Sequence, residues 1–172
     1  QYLIAPGLPI RNVFVVAKHN NATFSDYNGL LGGALGNPGN GHILNGWQGT
    51  TSLYAGATNN FYAAWQNGVS RANGTLAGIN AAGGWQGSFI GPSAITNSET
   101  WVGMISGGSR GWNGQIGEII TYSGALSTDQ RNLVEQYQSA KWGIALTPPG
   151  TGANEVARAT AADGYSAFTT RY

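Results

Sequence analysis

The run Arg-Asn-Val-Phe-Val-Val-Ala-Lys at Arg11–Lys18 constrains this chain more than any other feature. Successive side chains of a strand point to opposite faces, so the five consecutive apolar residues Val13, Phe14, Val15, Val16 and Ala17 put apolar surface on both. Such a segment is stable only where a sheet is covered front and back, as in the middle of a layered β structure. Its β-branched and aromatic content and its polar ends favour a strand over a short buried helix.

The rest of the chain supplies partners for that strand and little helix. Asn28–Gly41 is rich in turn residues and reads as a loop around one short apolar stretch. His42–Leu44 and Thr51–Ala55 read as short strands. Phe61–Gln66 alternates, and Asn67-Gly68 then tolerates the positive φ that a two-residue hairpin turn needs before Val69-Ser70. Ala72–Ser98 reads as a long excursion with apolar islands at Leu76–Ile79 and Trp85–Ile90 and one strand pair. Trp101–Ser106 and Gln115–Tyr122 are the last strands, joined by the Gly107–Gly114 segment. Thr128–Trp142 reads as a helix: Ser127 is a natural N-cap, Gln130 follows at the capping-box spacing, and Gly143 can close the C-terminus. Leu133, Val134, Tyr137 and Lys141 recur at helical intervals. Pro148-Pro149-Gly150 breaks the chain, and the tail holds a candidate short helix at Glu155–Ala162. The expectation is an all-β, antiparallel, jelly-roll-like β-sandwich with one short C-terminal helix, spanning residues 1–146, followed by an extended tail over 147–172.

Composition narrows the function. Of 172 residues 28 are Gly and only 9% are charged, against about a quarter in an average globular protein. The basic residues Arg11, Lys18, Arg71, Arg110, Arg131, Lys141, Arg158 and Arg171 are dispersed and the net charge is +1. No stripe of them could displace phosphate counterions, which argues against a nucleic-acid partner. No apolar run approaches the roughly 20 residues of a membrane span, and no signal-peptide pattern opens the sequence. Without Cys the chain has neither a disulfide framework nor a thiolate metal site. A surface of neutral polar groups and glycine turns suits an extracellular, cell-surface or virion protein.

Trp101–Ile144 resembles the closing segment of bacterial and phage LamG-like, concanavalin A-like lectin/glucanase domains. The match runs through Trp112-Asn113-Gly114, Glu118-Ile119-Ile120-Thr121-Tyr122, Leu126-Ser127 and Lys141-Trp142-Gly143, in that order. Arg11–Lys18 is similar to that family's central strand, and Gln66-Asn67-Gly68 to its usual hairpin, so the resemblance covers about residues 10–144. It implies a sandwich that binds carbohydrate or mediates adhesion. Family members usually carry further strands ahead of the Val-Phe strand, where only Gln1–Leu8 stands here. The expected consequence is an exposed sheet edge, completed by a protein partner or by a second copy in a homo-oligomer. The tail beyond Ile144 has no counterpart in the family.

Catalytic readings fare poorly. Gly107-Gly108-Ser109-Arg110-Gly111 satisfies the G-x-S-x-G pattern, but a strand follows it, and His19 and His42 both lie upstream. Retaining glycosidases of the resembled fold place acids on one strand as Glu-x-Asp-x-x-Glu. The carboxylates here, Asp26, Glu99, Glu118, Asp129, Glu135, Glu155 and Asp163, form no such cluster. Glu118 stands alone, expected on the face of Ile116, Ile120 and Tyr122, where it more plausibly accepts local hydrogen bonds. The chain therefore reads as no enzyme. Calcium is supported only by Asp26 among the oxygens of Asn20, Asn21 and Asn28, together with the calcium sites of many LamG-like domains; no other cofactor is implied. Asn21-Ala22-Thr23 and Asn73-Gly74-Thr75 fit a glycosylation pattern, which matters only in a eukaryotic secretory setting.

Aromatic residues beside amides carry the functional expectation. Gly46-Trp47-Gln48-Gly49 and Gly84-Trp85-Gln86-Gly87 both read as loop segments in which an indole could stack on a sugar face while the amide bonds its hydroxyls. Trp47, Gln48, Trp85, Gln86 and Arg110 are thus the candidate ligand contacts, with a glycan or cell-surface polysaccharide as ligand. A tryptophan that covers the end of the sandwich is the competing role for Trp47 and Trp85. Trp65, Trp101, Trp112 and Trp142 read as core. The expected function is a non-catalytic carbohydrate-binding or adhesion module. Its rival is a structural component of a virion or surface appendage, such as a decoration, tail or fibre protein.

Overall fold

The computed structural model describes residues 2–34, 42–54, 61–71, 84–105 and 110–147. Within them lie β1 (Leu3–Pro6), β2 (Ile10–His19), β3 (Gly29–Gly33), β4 (His42–Gly46), β5 (Leu53–Tyr54), β6 (Ala63–Gln66), β7 (Val69–Arg71), β8 (Trp85–Ile95), β9 (Glu99–Val102), β10 (Gly114–Tyr122) and α1 (Thr128–Trp142). The strands form two antiparallel five-stranded sheets, ordered β1-β9-β3-β4-β5 and β10-β2-β8-β6-β7. The described residues fold as the expected all-β sandwich, with the short helix α1 following β10. Among the described residues no helix is long and apolar enough to cross a membrane. The candidate helix Glu155–Ala162 and the island Leu76–Ile79 fall outside the described residues.

β2 lies second in its sheet, between β10 and β8. Its Val13, Val15 and Ala17 face the other sheet and join Leu30, Leu31, Ile43, Leu44, Leu53, Phe61, Trp85 and Phe89 in one core. Phe14 and Val16 point the other way and are also buried, on the face where α1 packs against β2 and β8. The double burial inferred from the apolar run is thus met by a sheet on one side and a helix on the other.

The hairpin forms as its sequence demands. Asn67 and Gly68 hold φ of 50° and 81° between β6 and β7, the left-handed pair of a type I′ turn. Asn67 Oδ1 also accepts the Gln86 backbone N–H at 2.8 Å, which ties the turn to β8.

Three expectations need correction. Gly29–Gly33 is no loop but a buried strand between β9 and β4. Its Gly29 serves close approach, because a Cβ there would collide with the backbone at Met104–Ile105. Trp85–Ile95 is the centre of its sheet, paired with β2 and β6, rather than part of an excursion. Finally, Gly117 is an extra residue in β10: Ile116 pairs with Ala17 and Glu118 with Val16. This bulge reverses the phase of the strand, so Ile116 packs on the core while Glu118, Ile120 and Tyr122 face outward.

The helix has its predicted caps. Ser127 accepts from the Gln130 backbone, Gln130 reaches back to Ser127, and Gly143 closes the C-terminus in the left-handed conformation with φ 66°. Its buried face is not the apolar one. Asn132, Glu135 and Gln138 are buried while Leu133 and Tyr137 are about half exposed, because the outer surface of β8 presents Gln86 and Ser88 and selects polar partners.

The turn geometry yields a quantitative expectation. Gly68→Val should cost about 1–2 kcal/mol, the price of a branched side chain in the left-handed region. Asn67→Ala should cost less than Gly68→Val. Urea unfolding of the two variants against the parent protein measures both.

Candidate functional site

Three loops are stitched together at one end of the sandwich. Residues 20–28 after β2 meet the turn 47–52 through Phe24 N–H to Thr50 O and Gly49 N–H to Phe24 O, each 2.9 Å. They meet the segment before β10 through Gly29 N–H to Arg110 O at 2.7 Å and Asn28 Nδ2 to Gly111 O at 3.0 Å. Under the loops, the fully buried His19 ring packs against Phe24 and Trp112 at 4.6 and 5.0 Å between centroids. Trp112 Nε1 donates to Lys18 O at 3.2 Å.

Side chains from all three loops converge on the outside of this platform. Tyr27 is the hub. Trp47 meets it edge-on, with centroids 5.2 Å apart and planes at 89°. The Arg110 guanidinium lies 5.0 Å from its ring centroid, and His42 approaches at 6.3 Å. Asp26 accepts the Tyr27 backbone N–H at 2.7 Å through Oδ1, and its Oδ2 stands 3.4 Å from Arg110 Nε. Gln48 Nε2 reaches Ser25 O at 3.4 Å. Arg110 holds φ 60°, a left-handed conformation costing a non-glycine residue about 1–2 kcal/mol. The Gly29 hydrogen bond and the parallel bridge between Gly29 and Gly111 keep it there.

This cluster offers recognition chemistry. Trp47 exposes 41% of its surface, enough for one indole face to receive the C–H face of a ring. Arg110 and Gln48 bring donors and Asp26 brings acceptors. The side chains of Arg110 and Asp26 are 37% and 43% exposed, so their ion pair contributes little to stability and is accessible to a ligand. Burial lowers the proton affinity of His42, the nearby Arg110 lowers it further, and Asp26 only partly opposes them. His42 is therefore neutral at neutral pH.

The structure brings Trp47, Gln48, Arg110 and Asp26 together and leaves out Trp85 and Gln86. Both of the latter are fully buried in β8, the indole in the core and the amide under α1. Their Gly-Trp-Gln-Gly setting is a strand buried on both faces, so neither can present a surface to a ligand. Tyr27 and His42 were missed; no spacing links them to Trp47 or Arg110, and only loop packing unites them. Asp26, the calcium candidate, has both carboxylate oxygens turned to other partners. Its oxygens serve the Tyr27 N–H and Arg110, Asn20 Nδ2 bonds Asn113 Oδ1, and among the described residues no group of three His, Cys, Asp or Glu could hold a metal.

Glu118, the lone strand carboxylate, is occupied elsewhere. Lys141 Nζ donates to its Oε1 at 2.7 Å, Tyr137 Oη lies at 3.3 Å from the same oxygen, and Trp142 Nε1 donates to Oε2 at 3.3 Å. It fastens α1 to β10. Of the G-x-S-x-G pattern, Gly107–Ser109 lie outside the described residues, and the chain continues from Gly111 into strand β10, not a helix.

No family model, no curated protein and no solved structure matches the chain.

The two Gly-Trp-Gln-Gly tryptophans should separate cleanly by stability. Trp85→Ala removes a fully buried core indole and should cost about 3–5 kcal/mol. Trp47→Ala, which loses the edge contact with Tyr27 from a partly exposed turn, should cost about 0.5–1.5 kcal/mol. Chemical denaturation of both variants checks the contrast, and equal losses would show that Trp47 is a structural lid.

Proposed function

We propose that this chain is a non-catalytic carbohydrate-binding or adhesion module of an extracellular, cell-surface or virion protein, related to LamG-like domains. The observation that carries the reading is the exposed Trp47 indole, held edge-on by Tyr27 beside the Arg110–Asp26 pair. An aromatic platform flanked by exposed donors and acceptors suits a sugar ring, whose apolar face stacks while its hydroxyls bond. Both walls of the site rest on loops hydrogen-bonded to strands, so the ligand meets a surface already in place. The motifs of Trp101–Ile144 that resemble LamG-like domains support the same reading.

A glycan array probed with the whole chain should show binding to a restricted set of saccharides. Trp47→Ala and Arg110→Ala should each weaken the best of them at least tenfold, about 1.4 kcal/mol, with an unchanged circular dichroism spectrum. A blank array, or binding indifferent to both substitutions, sinks the proposal.

The rival reading, a structural protein held by neighbouring chains, draws on a different place. β1 is an edge strand on which Leu3 and Ile4 are 67% and 55% exposed. Between it and the other sheet's edge strand, β10, opens a cleft of about 600 Å³ lined by Tyr2, Leu3, Val102, Trp112, Ile116 and Ile119 among others. A glycan-inert chain that gains stability only beside a partner would favour that reading over the first.

A further inference from the structure

The underside of α1 is the least satisfied surface among the described residues. Gln86 Nε2 donates to Ser88 Oγ at 2.8 Å and to Gln138 Oε1 at 3.2 Å. Arg131 lies 3.9 Å over the Trp65 ring and donates through Nη2 to Asn132 Oδ1 at 2.7 Å. Its Nε stands 3.3 Å from Glu135 Oε1 without hydrogen-bond alignment. Gln86 Oε1, Gln138 Nε2, Glu135 Oε1 and Arg131 Nε are all buried with no hydrogen-bond partner. At its far end α1 is held by the Glu118 clasp with Lys141, Tyr137 and Trp142. An element whose own buried face is polar, with several of its groups unsatisfied, is held less firmly than one docked by apolar side chains on both sides.

We infer that α1 is a pH-dependent latch, seated by the polar seam through Glu135 and the surface clasp through Glu118, and able to lift from its sheet while the sandwich stays folded. The two carboxylates make opposite demands. Burial pushes the Glu135 carboxyl up from the ordinary range, against a hydrogen bond from Ser88 and the charge of Arg131. The seam is therefore tightest with Glu135 protonated and loosens as pH rises through that elevated value. At Glu118 burial also resists ionisation, but hydrogen bonds from Lys141, Trp142 and Tyr137 and the charge of Lys141 outweigh it, so its carboxyl is held low. The clasp is complete above the ordinary range and is lost as pH falls through the depressed value.

Among the described residues, the charged groups acting on these carboxylates are Arg131 at Glu135 and Lys141 at Glu118. Glu135 meets Ser88 of β8 and Arg131 of its own helix, while Gln86 of β8 and Trp65 of β6 enter the same seam through Gln138 and Arg131. Glu118 faces Tyr137, Lys141 and Trp142 of α1 and, on β2, Val16 with Lys18 on the same outward face.

Hydrogen exchange read by mass spectrometry on the intact chain tests the latch, with each peptide corrected for intrinsic exchange and β2 as internal reference. Protection of Arg131–Lys141 relative to β2 should peak between about pH 4 and 5 and fall on both sides, roughly tenfold for each unit of pKa displacement. Glu135→Gln should abolish the decline toward neutral pH and leave the acid decline. Glu118→Gln should start from lower protection and lose the acid decline. Parallel exchange of α1 and β2 at every pH in the unmodified chain overturns the proposal, and that profile is decisive even where a variant folds poorly.

Discussion

The placement of β2 governs the molecule. Its inward residues need a second sheet and its outward Phe14 and Val16 need a separate cover, which two bare sheets would not give them. α1 is that cover, and the chain reaches it straight after β10, the strand that pairs with β2 on its other side from β8. The neighbouring strand complicates the packing: β8 turns Gln86 and Ser88 to the same surface, and an apolar helix face would strand them. The sequence of α1 answers with Asn132, Glu135 and Gln138, and its apolar Leu133 and Tyr137 are left toward solvent.

Much of this was legible from the residues. The apolar run announced a doubly covered strand, Asn67-Gly68 announced the hairpin, and Ser127, Gln130 and Gly143 marked the helix. The misreadings share one cause. Alternation is informative only when one face is wet, and Trp-Gln-Gly-Ser-Phe-Ile in β8 alternates between two buried faces, one apolar and one polar. Its Gly and Gln looked like loop chemistry. In the same way the glycines of β3 looked like turns, although Gly29 is needed where the backbone of Met104–Ile105 passes against it.

The candidate site was half legible. Trp47, Gln48, Arg110 and Asp26 stand out as rare aromatic, charged or amide groups in glycine-rich segments. Their convergence on Tyr27 depends on backbone hydrogen bonds that join three loops, and pairing between loops leaves no period in a sequence. Identical Gly-Trp-Gln-Gly tetrapeptides illustrate the limit. One forms a surface turn with Gly49 at φ 75°, and the other runs into the core as a strand, a difference set by their neighbours in space.

The bulge at Gly117 has a consequence for how this chain can vary. It acts as a frame marker: upstream of it even-numbered residues of β10 point to the core, and downstream odd-numbered ones do. Substitutions along β10 change one side chain at a time, and loss of Gly117 would only close the bulge, because Ile116 and Glu118 already pair with the consecutive residues Ala17 and Val16; loss of a residue on either side of it would turn part of the strand over. Loss of Gln115, for instance, would draw Gly117 into the ladder and turn Ile116 out of the core. Length in β10 is thus constrained on both sides of the bulge and spared only at Gly117, the one residue of the strand that the pairing with β2 does not use.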